Sequence, residues 1–224
     1  MESKARIVLK ACMPFVLAIV ILQLVSALAS IIIYAFPDSY MTAKNAQRDI
    51  LLVATACMHA TYILVFSFWY QKAGYAALHV QERRTLGARD LLFLLFAGGY
   101  LQIVVTLLLA LILPLFPKVL ETYLYHLENM GVGTGVFPLL VSVVMAPVAE
   151  ELIFRGVTFS LAEGKLSFVW LNLLQAFLFG IYHMDVVQFF YAFGIGLILG
   201  LAYKKYHNLL ACITLHASIN LFAN

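Results

Sequence analysis

The sequence predicts an all-α fold, a polytopic bundle of transmembrane helices. Of its 224 residues, 64% are hydrophobic and only 11% are charged, and the mean hydropathy is +0.96. Soluble domains have roughly 25% charged residues, so this composition excludes an ordinary soluble fold. The apolar residues occur in long runs without the alternation of a membrane β-barrel, and only helices satisfy the backbone hydrogen bonds of such runs in lipid.

About seven apolar segments are expected to form helices that span the membrane. The last three of them are shorter than the ~20 residues that a transmembrane helix usually needs. With short connections the seven segments occupy most of the chain, so we expect a single integral membrane domain, residues 1–224. The segments are about 11–36, 50–70, 91–116, 137–161, 168–182, 187–203 and 209–222.

The N-terminal segment is expected to be an uncleaved span rather than a signal peptide. Three basic residues precede it, as in a signal peptide, but its apolar run continues to residue 36. That run is longer than the ~7–15 apolar residues of a signal peptide. The first helix therefore belongs to the predicted bundle.

The loop lysines and arginines predict the orientation of the bundle. With the N-terminus in the cytoplasm, ten of them lie on the cytoplasmic side and three lie outside, in agreement with the positive-inside rule. The C-terminus is then outside, and the basic residues mark topology rather than a nucleic-acid partner. The ten are Lys4, Arg6, Lys10, Lys72, Arg83, Arg84, Arg89, Lys165, Lys204 and Lys205, and the three are Lys44, Arg48 and Lys118.

A more polar stretch, residues 117–135, separates the third and fourth spans. Apolar side chains recur in it at helical spacing, which is typical of an amphipathic helix on the membrane surface. We expect an interfacial helix here, with a plain connecting loop as the alternative. The apolar positions are Leu120, Tyr123, Leu124, Leu127 and Met130.

The fourth segment contains three charged residues, Glu150, Glu151 and Arg155. A charge inside a membrane costs ~2.5–3.5 kcal/mol on insertion scales, so it indicates a functional site with a partner. On a helix Glu151 and Arg155 are four residues apart and face each other, whereas Glu150 points about 100° away. We therefore expect an ion pair that leaves Glu150 chemically available. The alternative is a helix end whose charges are solvated.

Polar residues also follow helical spacing in two later segments. The fifth carries Asn172, Gln175, Phe179 and His183 on one stripe, and the seventh carries His216 and Asn220 four residues apart. A carboxylate and an imidazole can deprotonate a water molecule, and a second imidazole and an amide can donate hydrogen bonds to an oxyanion. These residues could therefore hydrolyse a peptide bond, although a lone histidine near a helix end is usually interfacial.

The other singled-out residues have weaker patterns. Asp185 could orient His183, although a solvated loop carboxylate is the simpler interpretation. His59 and His79 have no motif partners and are expected to be structural or interfacial. Gly196 and Gly200 have the spacing that lets helices approach closely, which favours internal packing over a dimer face. The cysteines have no metal-ligand or redox spacing, so we expect them to pack in the helices; they are Cys12, Cys57 and Cys212.

Three motifs together resemble those of a known family, the CAAX prenyl endopeptidase and bacteriocin-processing family, also called CPBP or Abi. Each motif alone is weak, but the ordered set is specific, and it covers about residues 145–220. The resemblance implies an intramembrane endopeptidase, often described as a glutamate protease, with its catalytic core at about 137–222. The motifs are Glu150-Glu151-x-x-x-Arg155, Phe179-x-x-x-His183 and His216-x-x-x-Asn220.

The resemblance also implies a role for each motif residue. Glu150 and His183 would activate the water, and His216 and Asn220 would form the oxyanion site. We expect no cofactor; the alternative is a zinc ion held by Glu150, His183 and His216. The remaining motif positions are supporting residues, namely Glu151, Arg155 and Phe179.

The expected substrate is a peptide or protein near the membrane, and the expected location is a bacterial plasma membrane. Prenylated tails are cytoplasmic, whereas the predicted topology puts His183 and Asn220 nearer the outer face. In a bacterial setting the resemblance implies exported peptides, bacteriocin immunity or regulation, and a leader or signalling peptide is therefore the preferred substrate. One alternative is a non-proteolytic membrane regulator or immunity scaffold. Another is a proton-relaying transporter, but the two halves of the sequence show no repeat.

Overall fold

The computed structural model describes residues 3–35, 44–72, 84–129 and 135–223, and these contain eight helices and no strand. The predicted all-α class is confirmed, and each of the seven predicted apolar segments coincides with a helix. His79, Arg83 and Met130 lie outside the described residues. The helices are α1 (Lys4–Ala35), α2 (Lys44–Lys72), α3 (Ala88–Ile112), α4 (Pro117–Asn129), α5 (Val136–Ala162), α6 (Phe168–Tyr182), α7 (Val186–Tyr206) and α8 (Leu209–Ala223).

Five helices, α1, α2, α3, α5 and α7, are long and apolar enough to cross a membrane. Helices α6 and α8 have 15 residues each, which is about 22 Å at 1.5 Å per residue. They are therefore shorter than a ~30 Å hydrocarbon core. Helix α1 begins at Lys4, earlier than its apolar run predicts, because backbone hydrogen bonds continue through the basic residues that precede the run.

Residues 117–129 form α4, so this part of the predicted interfacial segment is helical. Its first residue is Pro117, a favourable position because the first helical N–H has no partner in the helix. Tyr123 hydrogen-bonds the Tyr191 side chain of α7, which ties α4 to the bundle. Burial raises the pKa of Tyr123, and Asp185 nearby raises it further.

Helix α5 is the central element, since it contacts α1, α2, α6 and α8. Its hydrogen bonding changes twice to the wider π pattern, at Val141–Met145 and at Leu152–Thr158. Pro147 has no backbone N–H, so the usual bond to the carbonyl four residues earlier is missing at this position. The N–H of the preceding residue, Ala146, bonds the carbonyl of Val141, which is five residues earlier. The π turns therefore flank Glu150 and Glu151, and the second of them contains Arg155. Such turns are frequent at functional sites.

Helices α6 and α7 pack closely through small residues and polar side chains. Gly196 lies against Ala176, and Gly200 lies against the amide of Asn172. Asn172 Nδ2 donates to the Leu197 carbonyl at 3.1 Å. The predicted internal packing of Gly196 and Gly200 is confirmed.

Replacing Gly200 by alanine is expected to destabilise the α6–α7 pair. The new Cβ would overlap Asn172 Oδ1, and overpacking of this kind typically costs about 1–3 kcal/mol. We expect a lower midpoint of thermal unfolding in detergent. Gly194→Ala is the matched control, because a Cβ there meets open space. Equal midpoints for the two variants would contradict this packing.

Candidate active site

The predicted ion pair between Glu151 and Arg155 is confirmed. Arg155 Nη1 lies 2.9 Å from Glu151 Oε1, and both side chains are 0% exposed. Arg155 Nη2 also donates to the Gly196 carbonyl of α7 at 3.1 Å, and the guanidinium lies 4.7 Å from the centroid of the Phe179 ring. A buried arginine requires such partners, since an unpaired buried charge is costly. This arginine therefore joins α5 to α6 and α7.

His216 of α8 contacts both acidic residues. Its Nδ1 lies 2.8 Å from Glu151 Oε1, and its Nε2 lies 3.7 Å from Glu150 Oε2. An ionised carboxylate only accepts hydrogen bonds, so Nδ1 of His216 donates to Glu151. Residues 151 and 216 are far apart in sequence, and no local pattern indicates this contact. Glu151 thus accepts from two residues, where the sequence predicted only Arg155.

Glu150 remains without a hydrogen-bond partner at one of its oxygens. The residue is 7% exposed, and its Oε2 has no hydrogen-bond partner among the residues that the structure describes. An unsatisfied buried polar atom is rare in native structures and needs an explanation. The two acidic residues therefore differ in the way that the sequence predicted: Glu151 forms an ion pair with Arg155, and Glu150 does not.

His183 follows α6 and is held in one tautomer. Its Nδ1 lies 2.8 Å from the carbonyl oxygen of Phe179. A carbonyl oxygen can only accept, so Nδ1 carries the proton and neutral His183 presents a lone pair at Nε2. This nitrogen has the form that a base requires.

The Phe179 ring contacts both histidines of the predicted site. Its centroid is 4.9 Å from the His183 ring and 5.7 Å from the His216 ring, in T-shaped contacts. The structure therefore brings His183 and His216 to the same region through a shared aromatic neighbour. This contact gives Phe179 a supporting position in the site.

Asn220 lies one turn beyond His216 on α8 and is bonded to α5. Its Nδ2 donates to the Ser142 carbonyl at 2.9 Å. Ser142 belongs to the first π turn of α5, so the irregular backbone there supplies the acceptor that orients this amide. The same helix is fixed to α3 by Ser218, whose Oγ donates to the Leu95 carbonyl at 2.5 Å.

The polar stripe of α6 divides into two parts. Asn172 and Gln175 bind backbone carbonyls of α7, and only Phe179 and His183 contact the candidate site. Asp185 caps α7, since its Oδ1 accepts from the backbone N–H of Gln188 at 2.8 Å. The Asp-x-x-Gln spacing before an apolar run is the sequence signal for this cap.

Helix α2 supplies residues that the motifs do not contain. His59 is 6% exposed, on a helix that packs against the part of α5 that contains Glu150. Tyr62, one turn further, has its ring 6.4 Å from that of Tyr182 on α6. The sequence predicted a structural or interfacial role for His59, and the structure places this residue in the interior.

Within residues 3–35, 44–72, 84–129 and 135–223, no three His, Cys, Asp or Glu side chains form a group that could hold a metal ion. The alternative zinc ligands Glu150, His183 and His216 are therefore not assembled as a metal site here. The geometry instead groups them as one carboxylate near one imidazole, with a second imidazole across the Phe179 ring.

Comparison with known families identifies the segment that carries this site. Residues 132–222 match the family model described as Rce1-like, type II CAAX prenyl endopeptidase Rce1-like. No curated protein and no solved structure matches the chain. The matched segment includes every residue of the three motifs, and the family is one of CAAX-type membrane proteases. The chain is therefore an integral membrane protein whose residues 132–222 are similar to type II CAAX prenyl endopeptidases of the Rce1-like family.

Proposed function

We propose that this protein is an intramembrane endopeptidase that uses Glu150 and His183 to activate water and His216 and Asn220 to stabilise the oxyanion. The observation that carries the proposal is the buried carboxylate of Glu150, unpaired at Oε2 beside His216, next to a Glu151 that Arg155 holds. A neighbouring pair of acidic residues with such different surroundings is suited to two different roles.

In the first step, Glu150 takes a proton from a water molecule, and the oxygen of that water attacks the carbonyl carbon of the peptide bond. His183 orients the same water by accepting a hydrogen bond at Nε2, because its Nδ1 is occupied by the Phe179 carbonyl. The protonated Glu150 then gives its proton to the leaving amine when the C–N bond breaks. The carboxylate is thus restored at the end of the reaction.

The oxyanion accepts hydrogen bonds from His216 and Asn220 in this proposal. Because Nδ1 of His216 already donates to Glu151, His216 can donate from Nε2 only as an imidazolium. That form also balances the buried charge, since two carboxylates then face one guanidinium and one imidazolium. Donors in a site screened from water stabilise a developing charge more strongly than they would in solution.

The proposed reaction needs no metal ion, because the carboxylate and the imidazoles supply both the base and the oxyanion donors. We propose a peptide or protein substrate at the membrane surface, and an N-terminus in the cytoplasm of a bacterial cell. The backbone N–H of Arg84 donates to the Tyr206 carbonyl, and the Asn208 amide donates to the Arg84 carbonyl, which supports placing these two loops on one side of the membrane. These bonds join two loops that the basic residues predict on the same side.

His183→Ala is expected to lower kcat for peptide cleavage by about 10²–10⁴-fold, the range of a lost general acid or base. The purified protein is reconstituted in liposomes with a peptide library and a metal chelator, and products are identified by mass spectrometry. Ile181→Ala, a partly exposed position on the same helix end, is the control and should retain turnover. Equal turnover by wild type, His183→Ala and Ile181→Ala would refute the role of His183. Absence of cleavage by the wild-type protein would favour a non-proteolytic regulator.

A further inference from the structure

A groove on the outside of the bundle follows α6 and lies apart from the candidate active site. Its walls come from the start of α1, the first ten residues of α6 and α7, and its volume is about 780 Å³. The residues of the three motifs, all of which the structure describes, do not line it. An exposed apolar groove with a polar rim is typical of a surface that binds a ligand or lipid.

The lining of the groove changes from polar to apolar along α6. Lys4 and Ser167 lie at one end, and Phe177 lies ten residues after Ser167. At 1.5 Å per residue this distance is about 15 Å, which is half of a ~30 Å hydrocarbon core. Trp170 lies near the polar end, and tryptophan is enriched at the membrane–water interface. The groove therefore has the depth and the polarity of one lipid leaflet.

Three lysines give the polar end of the groove a positive charge. Lys4 lines the groove itself, and Nζ of Lys204 lies 4.2 Å from the centroid of the Phe168 ring at the start of α6. The loop before α6 adds Lys165 and one carboxylate, Glu163, so the positive charges exceed the negative one. Each lysine near a membrane surface strengthens the binding of anionic lipid by about fivefold.

The apolar end of the groove is formed by aromatic rings that already pack against one another. The Phe189 ring makes a T-shaped contact with Phe177 at 5.8 Å and stacks on Phe193 at 6.2 Å. These contacts join α6 to α7, and Gly196 of α7 lies directly against Ala176 of α6. An acyl chain would therefore meet a formed surface, and binding would require little ordering of the protein.

We propose that this groove binds one anionic phospholipid, with its phosphate at Lys4 and an acyl chain along Trp170 and Phe177. The inference does not depend on the proposed hydrolysis, because it uses none of the motif residues. It agrees with the proposed cytoplasmic N-terminus, since the cytoplasmic leaflet carries the negative surface potential. An apolar helix of another protein would have no use for the basic end of the groove.

Trp170 can report on the occupant of the groove. Its side chain is 69% exposed, and the chain has two tryptophans, of which Trp69 is the other. In a Trp69→Phe protein, lipids with brominated acyl chains quench only the fluorescence of Trp170. In liposomes at low ionic strength, we expect brominated phosphatidylglycerol to bind at Trp170 about fivefold or more better than brominated phosphatidylcholine.

Lysine variants in the same background test the headgroup contact. Lys4→Gln should lower the preference for the anionic lipid by at least about twofold, and Lys4→Gln combined with Lys204→Gln should bring it close to one. Lys118→Gln is the matched control, because Lys118 is an exposed lysine of α4 that does not line the groove, and it should keep the wild-type preference.

Three results would overturn the inference. Equal quenching by the two lipids would mean that the groove has no headgroup preference. Weak quenching by both would mean that another protein surface covers Trp170. A preference that survives in the double lysine variant, or that Lys118→Gln lowers as much as Lys4→Gln does, would place the attraction elsewhere on the protein.

Discussion

Glu150→Gln is expected to lower peptide hydrolysis by about 10²–10⁴-fold while the protein stays folded. The amide has the size of the carboxylate, but it cannot take a proton from water. No ion pair of Glu150 with Arg155 is present among the described residues, and Oε2 of Glu150 has no hydrogen bond there. Removal of this charge should therefore lower the unfolding midpoint little, because its nearest charged group, Nε2 of His216, is 3.7 Å away and makes no hydrogen bond to it.

Glu151→Gln is the matched comparison for Glu150→Gln, one residue further along the same helix. Glu151 accepts hydrogen bonds from Arg155 and from His216, so its neutralisation leaves a buried guanidinium without a counter-ion. We expect Glu151→Gln to lower the midpoint of thermal unfolding, in contrast to Glu150→Gln. Both variants are assayed for kcat/KM in liposomes and for thermal unfolding in detergent. If Glu151→Gln kept its midpoint while Glu150→Gln unfolded, the two roles would have to be exchanged.

Arg155→Met is expected to destabilise the protein by about 3–5 kcal/mol, the cost of leaving a buried ionised partner uncompensated. Arg155 is fully buried and among the largest buried side chains. It neutralises Glu151 and also donates to the Gly196 carbonyl, so its loss affects the α5–α7 contact as well. The measurement is the unfolding midpoint in detergent, with the yield of folded protein as a second readout.

A second substitution separates charge from packing in this prediction. Glu151→Gln added to Arg155→Met removes the uncompensated carboxylate, and the double variant should recover part of the lost stability. Arg89→Met is the control, because Arg89 is an exposed residue near the start of α3 and should change stability by less than about 0.5 kcal/mol. A loss for Arg155→Met no greater than that for Arg89→Met would show that the buried pair is not needed for folding.

Hydropathy and helical spacing predicted the all-α class and the positions of the apolar helices. Both signals are local, since a run of apolar residues in lipid has few conformations that satisfy its backbone. The Glu151–Arg155 pair was predictable for the same reason, because one helical turn separates the two residues. The polar stripe of α6 predicted the position of some of its residues in the site but not of others. Helical spacing grouped Asn172 with His183, but Asn172 bonds α7 and not the site.

Contacts between distant helices could not be read from spacing. The His216–Glu151 bond joins residues 65 positions apart, and the bond from the Tyr62 hydroxyl to the Ala18 carbonyl joins residues 44 positions apart. Each depends on the rotation of one helix against another. Helix α5 also contains two π turns, which change the angle between successive side chains. The regular 3.6-residue pattern does not predict them.

The sequence by itself determined that the protein has apolar helices and that three of these helices carry the polar motifs. It also determined that Glu151 can neutralise Arg155 within one helical turn. Composition, periodicity and short motifs are properties of neighbouring residues, so they need no fold. Only the tertiary structure decided that His216 donates to Glu151 and that Oε2 of Glu150 makes no hydrogen bond among the described residues. These contacts arise where helices pack, and packing geometry is set by the whole bundle at once.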